Sequence, residues 1–293
     1  MSANPVNTFD LSGKVAIVTG SNSGLGAGMA VALAAAGCDI VGVSRADAGP
    51  IAARVEALGR RFADVRADLA SIAPVEDIVR AAVEAFGRID VLVNNAGIIR
   101  REDALEFGED AWDAVMDVNL KSLFFLSQAA ARQFVRQQSR GKIINITSML
   151  SFQGGIRVAS YTASQSGVLG LTRLLANEWA AERINVNVNA IAPGYMAIAN
   201  TAALREDTQR NEEILGRIPA GRWGVRDDLA GPVVFLASSA SDYVHGHTLA
   251  VDGGWLARQV RLKLGTSARN ALCSRAGGHR LDHAAARVRT DRE

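Results

Sequence analysis

Tyr161 stands thirteen residues after Ser148 and four before Gln165. A phenol can serve as a general acid or base, and a serine hydroxyl beside it can donate a hydrogen bond to an oxygen on which negative charge develops. Two residues four apart on a helix share a face, so residue 165 can tune the acidity of the phenol. Here that residue is a neutral amide. The chemistry expected is proton transfer to or from a substrate oxygen.

Such residues need a framework, and the chain alternates two kinds of segment. Apolar runs at 14–19, 39–44, 61–66, 89–93, 142–147 and 184–190 read as strands. Segments 29–36, 51–58, 75–86, 111–138 and 160–181 read as helices. Repeated βαβ units call for right-handed crossovers and a parallel sheet covered on both faces. The expectation is a single α/β domain over 1–257, a doubly wound parallel sheet of Rossmann type with its ligand at the carboxyl ends of the strands.

The first βα turn carries Gly20, Gly24 and Gly26, with Asn22, Ser23 and Leu25 between them. Glycines there let the backbone approach a pyrophosphate, and the helix that follows offers free N–H groups and the positive end of its dipole. The second strand ends in Ser44-Arg45, where an acidic residue would hold the ribose hydroxyls of NAD. An arginine instead suits the 2′-phosphate of NADP, which is favoured over NAD.

Composition narrows the classes. With 48% hydrophobic residues over 293 positions, a sizeable core is available. Cys38 and Cys273 make neither a disulfide framework nor a metal cluster. No window reaches the roughly 20 apolar residues of a membrane span, and no export signal is expected, so a cytoplasmic protein is. Residues 258–293 hold eight Arg and one Lys against three acidic residues, a surplus of six that leaves 1–257 with −4. This basic extension lacks apolar periodicity and reads as mobile. No aromatic side chains are interleaved to stack bases, so nucleic acid is not an expected partner.

Taken together, TGSNSGLG, Asn94-Asn95-Ala96-Gly97, Asn119, Ser148, Tyr161 and Pro193-Gly194 resemble the short-chain dehydrogenase/reductase family across 9–257. The stretches NNAGIIRREDALEF, KIINITSMLSFQGGIR and RIPAGRWG are similar to its 2-deoxy-D-gluconate 3-dehydrogenase and 2-dehydro-3-deoxy-D-gluconate 5-dehydrogenase group. The resemblance implies hydride transfer between a nicotinamide cofactor and a deoxy sugar acid. It implies Tyr161 as acid/base, Ser148 as donor to the alkoxide, Asn119 as holder of a water in the proton relay, and Gln165 at the ribose. Asp68 and Leu69 would meet the adenine, Asn95, Ala96 and Gly97 would line the cofactor, and Pro193, Gly194, Met196 and Ile198 would lie along the nicotinamide. Residues 196–215 correspond to a substrate lid, and the assembly implied is a homo-oligomer, a tetramer. For the substrate carboxylate, Arg100, Arg101 and Arg157 are candidates, with Gln153 and Trp223 as pocket residues.

The chain also departs from the family pattern. The resemblance puts a lysine where Gln165 stands; losing a positive charge ~5 Å from the phenol is worth about 3 kcal/mol at an effective dielectric near 20. That is about two pKa units, leaving Tyr161 near the ordinary value of about 10. The run Ile184 to Pro193 holds one Asn-Val pair more than the pattern, which keeps the inward and outward faces of a strand if the surplus is expelled at one end. Ile198 replaces a threonine hydroxyl. Two functions follow as expectations: a sugar-acid dehydrogenase with a weakened proton step, or a weak or inactive dinucleotide-binding homologue acting as sensor or assembly partner.

Overall fold

A computed structural model describes residues 5–257, so the basic extension, its expected mobility and Cys273 lie outside the described residues. The strands are β1 Val15–Thr19, β2 Asp39–Ser44, β3 Phe62–Arg66, β4 Val91–Asn94, β5 Gly141–Ile146, β6 Val186–Pro193 and β7 Thr248–Val251. They form one parallel sheet in the order β3-β2-β1-β4-β5-β6-β7. The helices are α1 Gly24–Ala35, α2 Gly49–Glu56, α3 Val75–Phe86, α4 Glu109–Met116, α5 Ser122–Arg136, α6 Ala159–Ala181, α7 Ala202–Glu206, α8 Thr208–Arg217 and α9 Ala230–Ala237.

The five residues of β1 are all buried because both faces of the sheet are covered. Alternation splits them: Val15 and Ile17 join Ile78, Leu126, Phe134 and Trp179 of α3, α5 and α6 on one side. Ala16 and Val18 join Met29, Leu33, Val233 and Leu236 of α1 and α9 on the other. The strand order reverses between β1 and β4, and the cleft of a doubly wound sheet opens at that point. Among the described residues no helix is long and apolar enough to cross a membrane.

Several boundaries differ from the sequence reading. The second strand and the 75–86 helix stand where expected, but α1 begins at Gly24, so half of the glycine pattern lies inside the helix. The segment 111–138 is two helices, α4 and α5, joined by a π-helical turn Asp117–Lys121. The strand expected at 184–190 runs Val186–Pro193, because β7, which sequence reading missed, pairs with Ala190 to Pro193. Ile184 and Asn185 stand outside that strand: the Val186 amide donates to the Ile184 carbonyl at 2.8 Å, and Arg183 has φ 58°. The register from Gly141↔Val186 onward is unbroken.

Candidate active site

The end of β1 and the start of α1 are pressed together. Gly20 has φ 66°, in the left-handed region, and a Cβ on Gly26 would lie 2.2 Å from the Gly20 carbonyl oxygen and 2.5 Å from Asn95 Nδ2. No side chain fits there, so the amide end of α1 meets the cleft directly. Asn95 Nδ2 donates to the Thr19 carbonyl at 2.8 Å, while Thr19 Oγ1 accepts from the backbone N–H of Asn95 and of Ala96, each at 2.9 Å. Thr19 therefore joins the ends of β1 and β4. Sequence reasoning missed it, although its place as the last residue before Gly20 was the signal.

Around this cradle, Ser23, Gly24, Ile198 and Arg226 border a cavity of about 390 Å³. Asn22 lies half-buried in the same turn. Ser44 Oγ donates to the Ala46 carbonyl at 2.7 Å, while Arg45 is exposed and forms no ion pair among the described residues. Asp68 Oδ1 accepts from the Ala70 amide at 3.0 Å; Leu69 is buried and its carbonyl accepts from Ser122 Oγ at 2.6 Å. A glycine cradle that one Cβ would fill, at a helix amino terminus, fits the pyrophosphate of a dinucleotide.

A second cavity, of about 400 Å³, joins this wall to the proton-moving residues. Leu25, Asn95, Ala96, Gly97, Pro193, Gly194, Met196 and Ile198 line one part, and Asn119, Ser148, Tyr161 and Gln165 another. Ser148 follows β5, accepts from the Leu150 amide at 3.2 Å and hydrogen-bonds the Tyr161 phenol. Asn119 is buried in the π-helical turn, not in a continuous helix. Its Oδ1 accepts from the Ile98 amide at 2.8 Å and its Nδ2 donates to the Ile98 carbonyl at 2.9 Å and to Ser164 Oγ at 3.3 Å. Such a turn is rare and re-aims the side chains on it.

Tyr161 sits half-buried in the first turn of α6. Burial pushes its phenol above the ordinary value, against the hydrogen bond from Ser148 and the positive charge of Arg101, which act the other way. The sequence reading counted only the absent cation at 165; desolvation adds to it. One turn on, Gln165 is 5% exposed, and its Oε1 has no hydrogen-bond partner among the described residues. A buried amide acceptor left unpaired costs about 1–3 kcal/mol unless a donor arrives.

On the substrate side the structure divides the candidates. Arg101 and Gln153 line the cavity with Ser148. Arg100 does not: it is exposed and leans on its neighbour's carbonyl, Ile99, at 3.4 Å. Arg157 is turned away by its left-handed backbone, φ 63°, and pairs with Asp103 at 3.1 Å. Trp223 is also off the cavity: its Nε1 donates to Asn211 Oδ1 at 2.7 Å, and its ring packs behind Tyr195 at 5.4 Å.

Residues that sequence reasoning passed over complete this wall. The 196–215 segment comprises a 3₁₀ turn at Ala199–Thr201, then α7 and α8. Ile214 and Ile218 pack with Met149 and Trp255, so α8 is seated beside Ser148. Arg210 and Arg217 from α8, together with Trp255, line the cavity. Periodicity had no means of finding Trp255, which lies far along the chain.

Comparison with known proteins agrees with this arrangement. Residues 20–256 match the family described as Enoyl-(Acyl carrier protein) reductase. The chain is 64% identical over 253 residues to the 2-dehydro-3-deoxy-D-gluconate 5-dehydrogenase of Dickeya dadantii, covering 86% of this chain and 99% of that one. It superposes with TM-score 0.81 on an Agrobacterium tumefaciens protein solved with bound NADP, 54% identical, over 86% of this chain and all of that one. With TM-score 0.83 it also superposes on the gluconate 5-dehydrogenase of Burkholderia cenocepacia in complex with NADP and tartrate, 39% identical, over 87% of this chain and 100% of that one. With a glycine cradle beside a cavity that holds a serine and a tyrosine, and relatives of this closeness over nearly their whole length, the chain belongs to the short-chain dehydrogenase/reductase family of NAD(P)-dependent oxidoreductases.

Proposed function

We propose that this chain interconverts a hydroxyl and a carbonyl on a deoxy sugar acid of the 2-keto-3-deoxygluconate or 2-deoxygluconate type, with NADP preferred over NAD and with a weakened proton step. One observation carries the reading: Ser148, Tyr161 and Asn119 share a single cavity with Leu25, Asn95, Ala96 and Gly97, and Asn95 in turn abuts the glycine cradle. The closely similar dehydrogenase of Dickeya dadantii and the NADP bound by two structural relatives support the substrate class and the cofactor. Ser44-Arg45, with an exposed guanidinium that has no ion-pair partner among the described residues, is suited to a 2′-phosphate.

Bound in the cleft, the nicotinamide supplies or accepts the hydride. Tyr161 exchanges the proton at the substrate oxygen, Ser148 donates to that oxygen as charge develops, and Asn119 holds a relay water. Gln165 meets the cofactor ribose, where a hydroxyl would satisfy its unpaired Oε1. It brings no charge, so the phenol stays protonated at neutral pH. The reaction equilibrium sets the ratio of forward and reverse rates at each pH, so the loss falls on both directions. A second reading rests on the same residue: a dinucleotide-binding homologue with little turnover, acting as a sensor or assembly partner.

The reading extends to 1–257 as the catalytic domain, with the extension as a separate addition, in a cytoplasmic homo-oligomer. Partly exposed Trp112, Val135 and Leu174 on α4, α5 and α6 are apolar surface that such an assembly would cover. Titration with NADPH and NADH, followed by turnover of a panel of keto-deoxy sugar acids, tests the proposal. NADPH binding with measurable turnover supports it. Binding without turnover leaves the second reading, and binding of neither cofactor overturns both.

A further inference from the structure

The cavity holds three arginines, and they are not equivalent. Arg210 is paired with Glu213 on its own helix at 2.9 Å. Arg101 donates weakly to the Asn200 carbonyl at 3.4 Å, and its charge reaches the Tyr161 phenol, so it belongs to the reacting end. Arg217, on the last turn of α8, has no carboxylate partner among the described residues. Its guanidinium lies 4.0 Å from the ring centroid of Trp255. Trp255 is itself fixed, donating from Nε1 to Gln153 Oε1 at 3.2 Å and packing against Tyr195 at 4.8 Å.

A guanidinium stacked by one face on an indole keeps its N–H edge free and loses little freedom on binding. That edge matches a carboxylate in two-point fashion. In a sugar acid the carboxylate and the reacting carbon lie apart along the chain, so the cation that reads the acid must stand away from Tyr161. Arg101, whose charge reaches that phenol, fails the condition, whereas Arg217 is carried on Trp255 at the end of α8.

We propose that Arg217, held on Trp255, is the residue that recognises the substrate carboxylate and makes the site selective for sugar acids over neutral sugars. The inference rests on the sugar-acid reading above. Arg210 remains on its own helix pair, and Gln153 acts through Trp255 as a positioning residue. Because α8 brings Arg217 while Ser148 and Tyr161 come from the sheet side, the acid end of the ligand also ties α8 to the site.

The test measures binding, which the weak proton step leaves accessible. Calorimetric titration of the NADP-saturated full chain with 2-keto-3-deoxygluconate and with its methyl ester should show the acid bound at least about tenfold more tightly. Arg217→Gln should weaken the acid by about tenfold to a hundredfold, as loss of a charge-assisted contact implies, and leave the ester within about twofold. Arg217→Lys should restore only part of the difference, since a point charge neither stacks nor forks. NADPH affinity and thermal midpoint of both variants should match the parent. Equal weakening of acid and ester in Arg217→Gln, or no weakening of either, overturns the assignment while the sugar-acid reading stands. Failure of the parent to bind either compound overturns the sugar-acid reading and this inference with it.

Discussion

The nucleotide wall and the substrate wall of the cleft, neighbours that meet at Asn95, are built on opposite principles. On the nucleotide wall, contact is made by backbone: a Cβ at Gly26 would meet the Gly20 oxygen at 2.2 Å, and Thr19 Oγ1 takes two backbone N–H groups at once. On the substrate wall, contact is made by the ends of long side chains, Arg101, Arg210 and Arg217, from a loop and from α8. α8 is seated by a small apolar cluster of Met149, Ile214, Ile218 and Trp255. A wall made of backbone tolerates no added atom. A wall made of long side chains is tuned by degrees, because each tip can shift when its neighbour changes. Gln165 stands where the two walls meet, with the burial of the first and the altered chemistry of the second.

The largest effect should come from forcing an atom into the nucleotide wall. Gly26→Ala places a methyl against the Gly20 carbonyl, which is backbone, and against the Asn95 side-chain amide, which is held by its bond to the Thr19 carbonyl. NADPH affinity, followed by fluorescence titration, should fall at least about a hundredfold, or ~2.8 kcal/mol. Affinity within about threefold of the parent would mean that the nucleotide wall yields as the substrate wall does, and the contrast would collapse.

Next comes the junction. Gln165→Lys restores a cation one turn from Tyr161 and should raise kcat/KM on 2-keto-3-deoxygluconate at least about tenfold, a barrier change of ~1.4 kcal/mol. The sign of the pH effect follows from the phenol being an acid whose ionisation burial opposes. In the parent, the rate of alcohol oxidation should climb with pH with no plateau below about 10. In Gln165→Lys the climb should move down by about two units. An unchanged pH profile would sever residue 165 from the proton step.

The same contrast explains what could be read from the sequence. Backbone recognition needs particular residue types at adjacent positions, so Gly20, Gly24 and Gly26 were legible, as were the buried strands whose apolar runs alternate with helices. The π-helical turn at Asn119 was not, because it spans only Asp117–Lys121, too short a stretch for its change of period to show between two helices. β7 is as short as β4 but, unlike it, is only partly buried, so no buried apolar run marks it. Arg100 and Arg157 stood near the right motifs in sequence but point elsewhere, one to a neighbouring carbonyl and one to Asp103, whereas Arg217 and Trp255 reach the cavity only through tertiary packing. Proximity along the chain is a good guide to a loop that touches its ligand by backbone and a poor one to where a long side chain ends.

A subtler probe of the nucleotide wall is Thr19→Val. The substitution keeps the shape and removes the oxygen that accepts from Asn95 and Ala96 N–H, leaving two partly buried donors unpaired. Stability should fall by about 1–3 kcal/mol, seen as a lower thermal midpoint, and NADPH affinity should drop several-fold. Thr19→Ser, which keeps the acceptor, should recover most of both. A loss in Thr19→Ser as large as in Thr19→Val would show that the retained acceptor does not rescue the joint, and would move the explanation to side-chain packing.

The smallest effects should mark where the substrate wall ends. Arg157 and Asp103 form an ion pair whose side chains are 57% and 71% exposed, the kind of surface pair that contributes about 0–1 kcal/mol. Arg100 touches only the Ile99 carbonyl. Neither lines the cavity, so Arg100→Ala and Arg157→Ala should each leave KM for the sugar acid within about twofold, and Arg157→Ala should cost at most about 1 kcal/mol of stability. Arg101→Ala, one residue from Arg100, should instead lower turnover, because its charge favours the ionised phenol. Should Arg157→Ala raise KM more than about fivefold, the wall would have to reach the Asp103 loop, and the acid group of the substrate would be read by side chains well outside the present cavity.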